Sequence, residues 1–424
     1  MTAVLAVGIF VITYTLIATE LIPRVKAAII GVVAMAVVGL VNTETAFYNP
    51  DRGIDWNVVF LLFGMMVIVS VLRQTGLFAF LAVWSVQASG GRPFRLMALL
   101  IVVTAMASAF LDNVTTVLLV APVVLQVCRQ LGLPSAPYLI SIVCASNIGG
   151  TATLIGDPPN IMIASRSGLT FNDFLTHLAP VVVVLIIAYL GLCRVYFRDA
   201  FRAPCLPMDG LDPAAEITDR RLLVRCLLVL TAVIAGFALH STLHVEPSLV
   251  ALLGAAAMVL VSSATTEQFL ADVEWETLVF FMALFILVGG LSGTGVIDQI
   301  GSAAVQATDQ RWFLAATVLL FGSAVLGAFV DNIPYTAAML PVVEDLVASD
   351  PAAAAPLWWA FALGADLGGN TTAIAAGANV VVTGIAARSG EPLSFWQFTR
   401  HGLVATALTL VIAWAYVWFR YFAA

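Results

Sequence analysis

Long uninterrupted apolar segments are the feature of this sequence that most restricts its fold. The runs 181–193 and 226–239 contain no charged residue. A helix that crosses a lipid bilayer needs about 20 mostly apolar residues. Of the 424 residues, 61% are hydrophobic and 10% are charged, whereas soluble domains carry roughly 25% charged residues. The sequence therefore predicts an all-α polytopic membrane protein whose principal partner is the lipid bilayer.

The apolar segments fall into two classes of length. Ten are long enough to cross a bilayer: 2–20, 25–41, 57–73, 95–111, 175–197, 222–239, 248–263, 277–293, 312–330 and 402–422. Six are shorter: 77–88, 114–128, 138–146, 296–307, 333–348 and 357–365. Short apolar segments seldom cross alone, so we expect several to be half-helices or re-entrant hairpins. The prediction is about ten transmembrane helices plus broken helices.

One long polar segment, 198–221, divides the chain. With its flanks it holds six of the 18 basic residues: Arg194, Arg198, Arg202, Arg220, Arg221 and Arg225. Because cytoplasmic loops carry an excess of Lys and Arg, this linker is predicted to be cytoplasmic. The division predicts an N-terminal half, 1–197, and a C-terminal half, 222–424.

The two halves repeat each other at a constant offset of 219 residues. The offset pairs Trp56 with Trp275, Thr75-Gly76 with Thr294-Gly295, Asp112-Asn113 with Asp331-Asn332, Pro122 with Pro341, Gly149-Gly150 with Gly368-Gly369, and Asn160 with Asn379. The predicted repeat cores are about 56–174 and about 275–398. The first core follows two predicted spans from an N-terminus that is predicted to face outward. The second core follows two predicted spans from the cytoplasmic linker, so the repeats are predicted to be inverted. Inverted repeats with broken helices near the bilayer midplane are typical of secondary transporters.

Each repeat has two polar interruptions within apolar text, 112–116 and 146–160 in the first and 331–336 and 366–379 in the second. A carboxylate at bilayer depth costs about 2.5–3.5 kcal/mol, and non-helical backbone persists there only where it lines a cavity or is covered by protein. We therefore predict one shared solute or ion site near the two-fold axis. Its candidate residues are Asp112, Asn113, Thr115, Thr116, Asn147, Gly149, Gly150, Thr151, Asp157, Asn160, Asp331, Asn332, Asp366, Gly368, Gly369, Asn370, Thr371, Thr372 and Asn379.

Structural roles are the alternatives for several of these residues. Asp112 and Asp331 are placed to cap the helices that follow them. The two Gly-Gly pairs are suited to close helix packing. The run 156–159, Gly-Asp-Pro-Pro, is also compatible with a turn at the membrane surface.

The distribution of basic residues limits the solute. No Lys or Arg occurs in 107–127, 144–165, 327–343 or 364–387. The predicted site thus offers carboxylates, amides, hydroxyls and helix dipoles without a fixed cation. It suits a cation, a proton or a neutral hydroxylated solute better than a multivalent anion, unless sodium enters with the anion.

Several function classes are disfavoured by missing motifs. The one lysine, Lys26, does not stand in a Gly-Lys-Ser/Thr step, so the chain has no phosphate-binding Walker loop of its own. It also has no zinc-binding His-Glu-x-x-His and no Gly-x-Ser-x-Gly nucleophile elbow. We therefore expect no enzyme activity, no catalytic residues, no metal centre and no organic cofactor. Without a basic patch, no nucleic-acid partner is expected either.

The polar interruptions resemble a known family. The strings 147–160 (Asn-Ile-Gly-Gly-Thr-Ala-Thr-Leu-Ile-Gly-Asp-Pro-Pro-Asn), 331–334, 368–372 and 379–381 resemble the signature of the ion transporter superfamily. The similarity is to its branch of arsenical pumps, NhaD antiporters and melanosomal P proteins, which share a citrate-transporter-like domain. The resemblance implies an inner-membrane secondary carrier with two inverted repeats, each holding a re-entrant hairpin and a broken helix.

These observations lead to a functional hypothesis with two alternatives. The leading one is efflux of arsenite or antimonite, as the neutral trihydroxide, in exchange for protons. The alternatives are sodium/proton antiport and a sodium-coupled carrier of carboxylates or other anions. The coupling ion is a proton or sodium. A soluble ATPase partner, a homodimer and a passive channel are left open.

Overall fold

A computed structural model describes residues 2–19, 21–202, 212–263, 265–308, 311–351 and 354–423. In these residues the chain is helical and contains no β-strand. Nine of the described helices are long and apolar enough to cross a membrane. The predicted all-α polytopic membrane class is therefore confirmed.

The described part of the first half forms eleven α-helices. They are α1 (Thr2–Thr19), α2 (Arg24–Val37), α3 (Thr43–Phe47), α4 (Trp56–Arg73), α5 (Leu77–Ser89), α6 (Pro93–Phe110), α7 (Asn113–Leu131), α8 (Ser135–Gly150), α9 (Pro158–Ser167), α10 (Phe171–His177) and α11 (Ala179–Tyr196). The predicted linker, 198–221, holds two short 3₁₀ turns, Ala200–Arg202 and Pro213–Glu216. Its central residues, 203–211, lie outside the described part of the chain.

The second half contains ten helices in the same order. They are α12 (Arg220–Leu243), α13 (Pro247–Val261), α14 (Thr266–Ala271), α15 (Trp275–Ser292), α16 (Val296–Thr308), α17 (Trp312–Val330), α18 (Asn332–Ser349), α19 (Ala354–Gly368), α20 (Gly377–Arg388) and α21 (Phe395–Tyr421). Helices α1 to α9 correspond one by one to α12 to α20. The pair α10 and α11 corresponds to the single long helix α21.

Several predicted spans differ from the observed helices. The segments 25–41 and 248–263 form helices of only 14 and 15 residues. The segment 114–128, predicted to be a short piece, belongs to a helix of 19 residues. The segment 175–197 divides at Leu178, because Pro180 has no N–H group for a continuous helix and favours the first turn of a new one. The apolar segments of the sequence alone did not predict these helix ends, because the ends depend on capping residues and prolines.

Helix packing follows the internal repeat. Helix α2 packs on α15, and α13 packs correspondingly on α4. Helix α6 packs on α8, as α17 does on α19. Helix α7 packs on α20, as α18 does on α9. Exchanging the two halves leaves this pattern unchanged, which is the property of a pseudo-two-fold arrangement, and it brings the broken helices of both halves together.

The corresponding helices α4 and α15 run antiparallel where they meet. Near the end of α4, Ser70 and Arg73 bond to Asp272, which precedes α15. At the opposite end, the backbone of Arg52, which precedes α4, lies against Gly289 near the end of α15. An antiparallel pair is the arrangement that inverted repeats require. The orientation of the repeats relative to a bilayer stays a prediction.

Three glycines at the breaks permit close backbone contacts. A Cβ atom on Gly149 would lie 2.5 Å from the Cα of Ala105, and one on Gly368 would lie 2.6 Å from the Cα of Ala324. A Cβ on Gly150 would likewise lie 2.5 Å from the carbonyl oxygen of Gly156. The close-packing role that was the alternative for the Gly-Gly pairs therefore applies to Gly149, Gly150 and Gly368.

We expect Gly149→Ala and Gly368→Ala each to destabilise the fold by about 1–3 kcal/mol, because the added methyl group overlaps a neighbouring helix backbone. Matched controls are Gly191→Ala and Gly322→Ala, where an added Cβ meets no atom within 4 Å. The controls should be neutral or stabilising by up to about 1 kcal/mol. Thermal unfolding in detergent measures the difference, and equal midpoints for all four variants would contradict the packing role.

Labelling of single cysteines tests the predicted inversion. In a background with all five native cysteines replaced, Glu44→Cys on α3 and Glu267→Cys on α14 place exposed thiols on corresponding short helices. Inverted repeats put these helices on opposite sides of the membrane. We expect an impermeant maleimide to label one variant in intact cells and the other only after lysis. Labelling of both from one side would mean parallel repeats.

Candidate functional site

The four polar interruptions meet in the interior of the protein. Helices α7, α9, α18 and α20 begin there, and α8 and α19 end there. Helix N-termini carry a partial positive charge and unpaired N–H groups. The candidate residues buried at this junction are Asp112, Asn113, Thr116, Asn147, Thr151, Asp157, Asn160, Asp331, Asn332, Asp366, Asn370, Thr371, Thr372 and Asn379. The structure thus brings most of the sequence-predicted residues into one region.

Asp157 lies between the starts of the two equivalent helices α7 and α18. Asn113 donates a hydrogen bond from its Nδ2 to Oδ2 of Asp157 at 2.8 Å, and Asn332 donates to Oδ1 at 3.4 Å. Asn113 and Asn332 are equivalent in the internal repeat, so one carboxylate joins the two repeats. Asp157 has no exposed surface and is not part of a turn at the membrane surface.

Asn147 makes a second connection between the repeats. Its Nδ2 donates to Oδ1 of Asn370 and to Oδ1 of Asn379, both at 3.1 Å. Its own Oδ1 accepts from Asn113 at 3.1 Å. The end of α8 is thereby tied to the break between α19 and α20.

Two equivalent asparagines stabilise the backbone at the breaks of the helices. Asn379 donates to the carbonyl oxygens of Gly369 and Thr372, both at 2.7 Å. Asn160 donates to the carbonyl oxygens of Thr153 at 3.1 Å and Thr151 at 3.5 Å. These bonds satisfy carbonyl groups that the interrupted helices leave without a partner.

Asp366 differs from Asp157 because its oxygens have no hydrogen-bond partner among the described residues. It is fully buried, and the side chains of Asn160 and Thr151 are the donors nearest to it. Asp157 is close enough to interact with it electrostatically. Buried polar atoms that also lack a partner in the described part of the chain include Oδ1 of Asn113, Oδ1 of Asn160, Nδ2 of Asn370, and the hydroxyls of Thr116 and Thr336. These atoms are available to a solute or an ion.

Other predicted site residues have structural contacts. Asp112 caps α7, since it accepts from the backbone N–H of Thr115 at 2.7 Å and from the Thr115 hydroxyl. The hydroxyl of Thr371 donates to Thr406 at 3.2 Å, and that of Thr372 donates to the carbonyl oxygen of Ala328 at 2.9 Å. The capping role considered for Asp112 therefore matches its geometry, and the two threonine hydroxyls bind neighbouring helices.

One charged residue of the region was not predicted from the sequence. Arg24, at the start of α2, forms an ion pair with Asp331 at 3.3 Å and lies over the ring of Phe280 at 5.4 Å. Asp331 also caps α18 through the backbone N–H of Ile333. The expectation that no fixed cation reaches the interruptions is wrong, because α2 packs against the second repeat. Arg24 was not predicted because it lies outside the predicted repeat cores.

Two repeat-related cavities differ in size. A cavity of about 310 Å³ lies between α15 and α18 and is lined by Asp51, Gly289 and Ala337 among others. The repeat-related space, lined by Ser70, Thr115 and Asp272, has a volume of only about 20 Å³. The two halves of the protein are therefore not equally open at these equivalent positions.

Comparison with known proteins is consistent with this architecture. Residues 14–364 match the family described as citrate transporter. An uncharacterized transporter of Mycobacterium tuberculosis is 50% identical over 424 residues, covering 99% of each chain. The P protein of Mus musculus is 33% identical over 97% of this chain and 59% of its own length.

Among solved structures, the YdaH transporter of Alcanivorax borkumensis matches with a TM-score of 0.61 and 14% identity. The alignment covers 85% of this chain and 84% of that transporter, so the fold is shared. With the family match over most of its length, the chain belongs to the citrate transporter family and is a multi-pass membrane transporter.

Proposed function

We propose that this protein is a secondary active carrier that exports arsenite or antimonite, as the neutral trihydroxide, in exchange for protons across the cytoplasmic membrane. The observation that carries the proposal is the buried network of amides and two carboxylates where the repeats meet. A carrier needs such a site between two entrances that open alternately. The unequal cavities on the two sides fit one stage of that cycle.

The free polar atoms of the network suit a neutral hydroxylated solute. Each hydroxyl of a trihydroxide both donates and accepts. Oδ1 of Asn113 and Oδ1 of Asn160 are free acceptors, and Nδ2 of Asn370 is a free donor. A neutral solute enters such a site without the desolvation cost of an ion. The polar atoms it would bind currently lack partners, and such atoms favour a ligand that completes their hydrogen bonds.

Asp157 and Asp366 favour a proton as the coupling ion. Both are fully buried and close enough to repel each other when both are ionised. Two neighbouring buried carboxylates share a proton more readily than they carry two charges. Arg24 does not relieve this repulsion by itself, because it is paired with Asp331.

The family description favours a second candidate, a carboxylate solute. Such an anion would meet Asp157 and Asp366, so it would have to enter with protons or sodium. Sodium/proton antiport is the third candidate, since carboxylate and amide oxygens are suitable ligands for a hard cation. All three candidates use the same central residues and differ in the species that moves.

Reconstitution into liposomes with an imposed pH gradient separates these candidates. The internal pH is recorded while arsenite, antimonite, sodium or citrate is added in separate runs. Proton movement with arsenite or antimonite alone supports the proposal. Proton movement with sodium alone supports sodium/proton antiport instead. Proton movement with citrate alone supports a carboxylate carrier instead. If none of the four solutes changes the internal pH, the result contradicts an autonomous carrier and favours a soluble ATPase partner.

Asp157→Asn should reduce coupled flux by tenfold to a hundredfold. The substitution replaces an acceptor of two amide hydrogen bonds by a group with its own N–H₂, and hydrogen bonds to a charged group contribute about 1.5–3 kcal/mol each. The matched control is Glu267→Gln, which makes the same chemical change on the exposed helix α14. Thermal unfolding of both variants checks that they fold. Wild-type flux in folded Asp157→Asn would exclude Asp157 from the transport site.

A further inference from the structure

Arg24 lies on the linker side, which is the end of the protein that carries the linker. The guanidinium of Arg24 lies over the ring of Phe280 near the start of α15. Near the other end of both helices, a Cβ atom on Gly290 of α15 would lie 2.5 Å from the sulfur of Met35 of α2, so α2 and α15 are parallel. The start of α15 lies beside the end of α4, and the carbonyl group two residues after α4 accepts a backbone hydrogen bond from Thr218 of the linker.

The equivalent helices α7 and α18 are capped differently. Asp112 accepts from the backbone N–H of Thr115, the third residue of α7. The offset of 219 places Pro334 at the third position of α18, and proline has no N–H group to donate. Asp331 caps α18 through the backbone N–H of Ile333 instead. One substitution between the repeats thus changes how the capping carboxylate is used.

The change of cap leaves Asp331 in a strained backbone conformation. Its φ of 76° and ψ of 143° lie where residues with a Cβ atom are rare, whereas Asp112 has a φ of −69°. Oδ1 of Asp331 accepts from Ile333, and Oδ2 accepts from Arg24 at 3.3 Å. Such strain persists only where surrounding contacts hold it, and the ion pair with Arg24 is one of these contacts.

The second half of the chain has no counterpart of Arg24. Helix α13 corresponds to α2, and no Lys or Arg occurs in 226–310, which includes α13 and α14. Asp112, the counterpart of Asp331, forms no ion pair in the described part of the chain. Within these residues the ion pair therefore occurs once, although the internal repeat offers two equivalent places for it.

The ion pair lies in a narrow space that reaches the break between α19 and α20. This space has a volume of only about 10 Å³ and is lined by Arg24, Asp331 and Phe280 and by Ile374 of the break. The cavity of about 310 Å³ lies away from the linker, since its lining includes Ser292, the last residue of α15. The protein is therefore closed where the ion pair forms and open at the other end of α15.

We propose that the Arg24–Asp331 ion pair is a latch that closes the central junction on the linker side and must separate before this side opens. The latch joins α2, which packs on α15, to the residue that begins the broken helix α18. The inference concerns the regulation of the proposed site and rests on alternating access in the proposed function. It does not depend on which solute moves.

Three features permit the latch to separate. The side chain of Arg24 is 33% exposed, so water solvates the guanidinium when the pair opens, and partly exposed pairs are weak. Glu274, which precedes α15, is close enough to attract Arg24 and offers it a second partner. Separation also allows the backbone of Asp331 to leave its strained conformation.

Thiol labelling of the purified full chain in lipid nanodiscs, where both sides are accessible, tests the latch. All five native cysteines are replaced, and Ile374→Cys reports on the narrow space. A neutral maleimide should react about fivefold faster when Asp331→Asn is added, the effect of losing a partly exposed ion pair. Asparagine has nearly the same size, caps helices and tolerates a positive φ, so the variant should fold. The matched control, Asp112→Asn, should leave the rate unchanged.

Salt provides a second measurement that leaves the latch residues unchanged. Raising choline chloride from about 0.1 M to about 1 M shortens the Debye length from about 10 Å to about 3 Å. Labelling of Ile374→Cys should become faster with the intact pair and stay constant in Asp331→Asn. Choline avoids sodium, which is a candidate coupling ion. Equal rates with and without Asp331→Asn, or no effect of salt on the intact pair, would overturn the latch.

A second reporter, Ser292→Cys in the cavity away from the linker, separates this inference from the proposed function. Opening of one side of a carrier closes the other, so Asp331→Asn should slow the labelling of Ser292→Cys. Faster labelling of Ile374→Cys without slower labelling of Ser292→Cys would support the latch and refute alternating access. A rate at Ile374→Cys that does not depend on Asp331, together with arsenite-driven proton movement in liposomes, would refute the latch and leave the carrier proposal intact.

Discussion

The cost of unpaired backbone groups in an apolar interior governs the centre of this protein. Two helices in each repeat are interrupted where neither water nor a continuous helix satisfies the carbonyl groups. Asn160 and Asn379 donate to equivalent carbonyl groups, those of Thr153 and Thr372. Each also donates to a second carbonyl group, which is that of Thr151 for Asn160 and that of Gly369 for Asn379. The repeated asparagine is therefore first a structural requirement. The polar chemistry of the site follows from how the breaks are held.

Small deviations from the repeat then give the site its asymmetry. Asp157 corresponds to Ala376, and Asn147 corresponds to Asp366. Besides the helix-capping Asp112 and Asp331, each repeat thus contributes one buried carboxylate, but at a different position. Asp157 accepts hydrogen bonds from amides of both repeats, whereas Asp366 has no such bond in the described part of the chain.

Close packing supports this arrangement. Gly149 and Gly368 let α8 and α19 approach α6 and α17 at the level of the breaks. These contacts repeat at the same offset as the asparagines, so the polar centre and its helical support were duplicated together. The two repeat-related cavities do not match in volume, so the two halves are not identical in packing at these positions.

Much of the architecture was predictable from the sequence alone. Apolar composition determined the membrane class, and the constant offset revealed the duplication, because Trp, Pro, Gly-Gly and Asn recur at one spacing that apolar text does not produce by chance. The same offset located the polar interruptions, and most of the predicted residues meet at one junction. Helix ends were less predictable, as at Leu178 and at the C-terminus of α7, because caps and prolines decide them locally.

Contacts between segments far apart in the chain required the tertiary structure. Arg24 reaches Asp331 across 307 positions, and no local pattern around either residue indicates the pair. Likewise, the sequence contains Asp157 and Asp366 as similar buried acids. Their difference comes from which neighbours fold against them: two amide groups donate to Asp157, and no described residue makes a comparable bond to Asp366. Residue identity sets what a side chain can donate or accept, and only the packing of the two repeats decides which of these it must do.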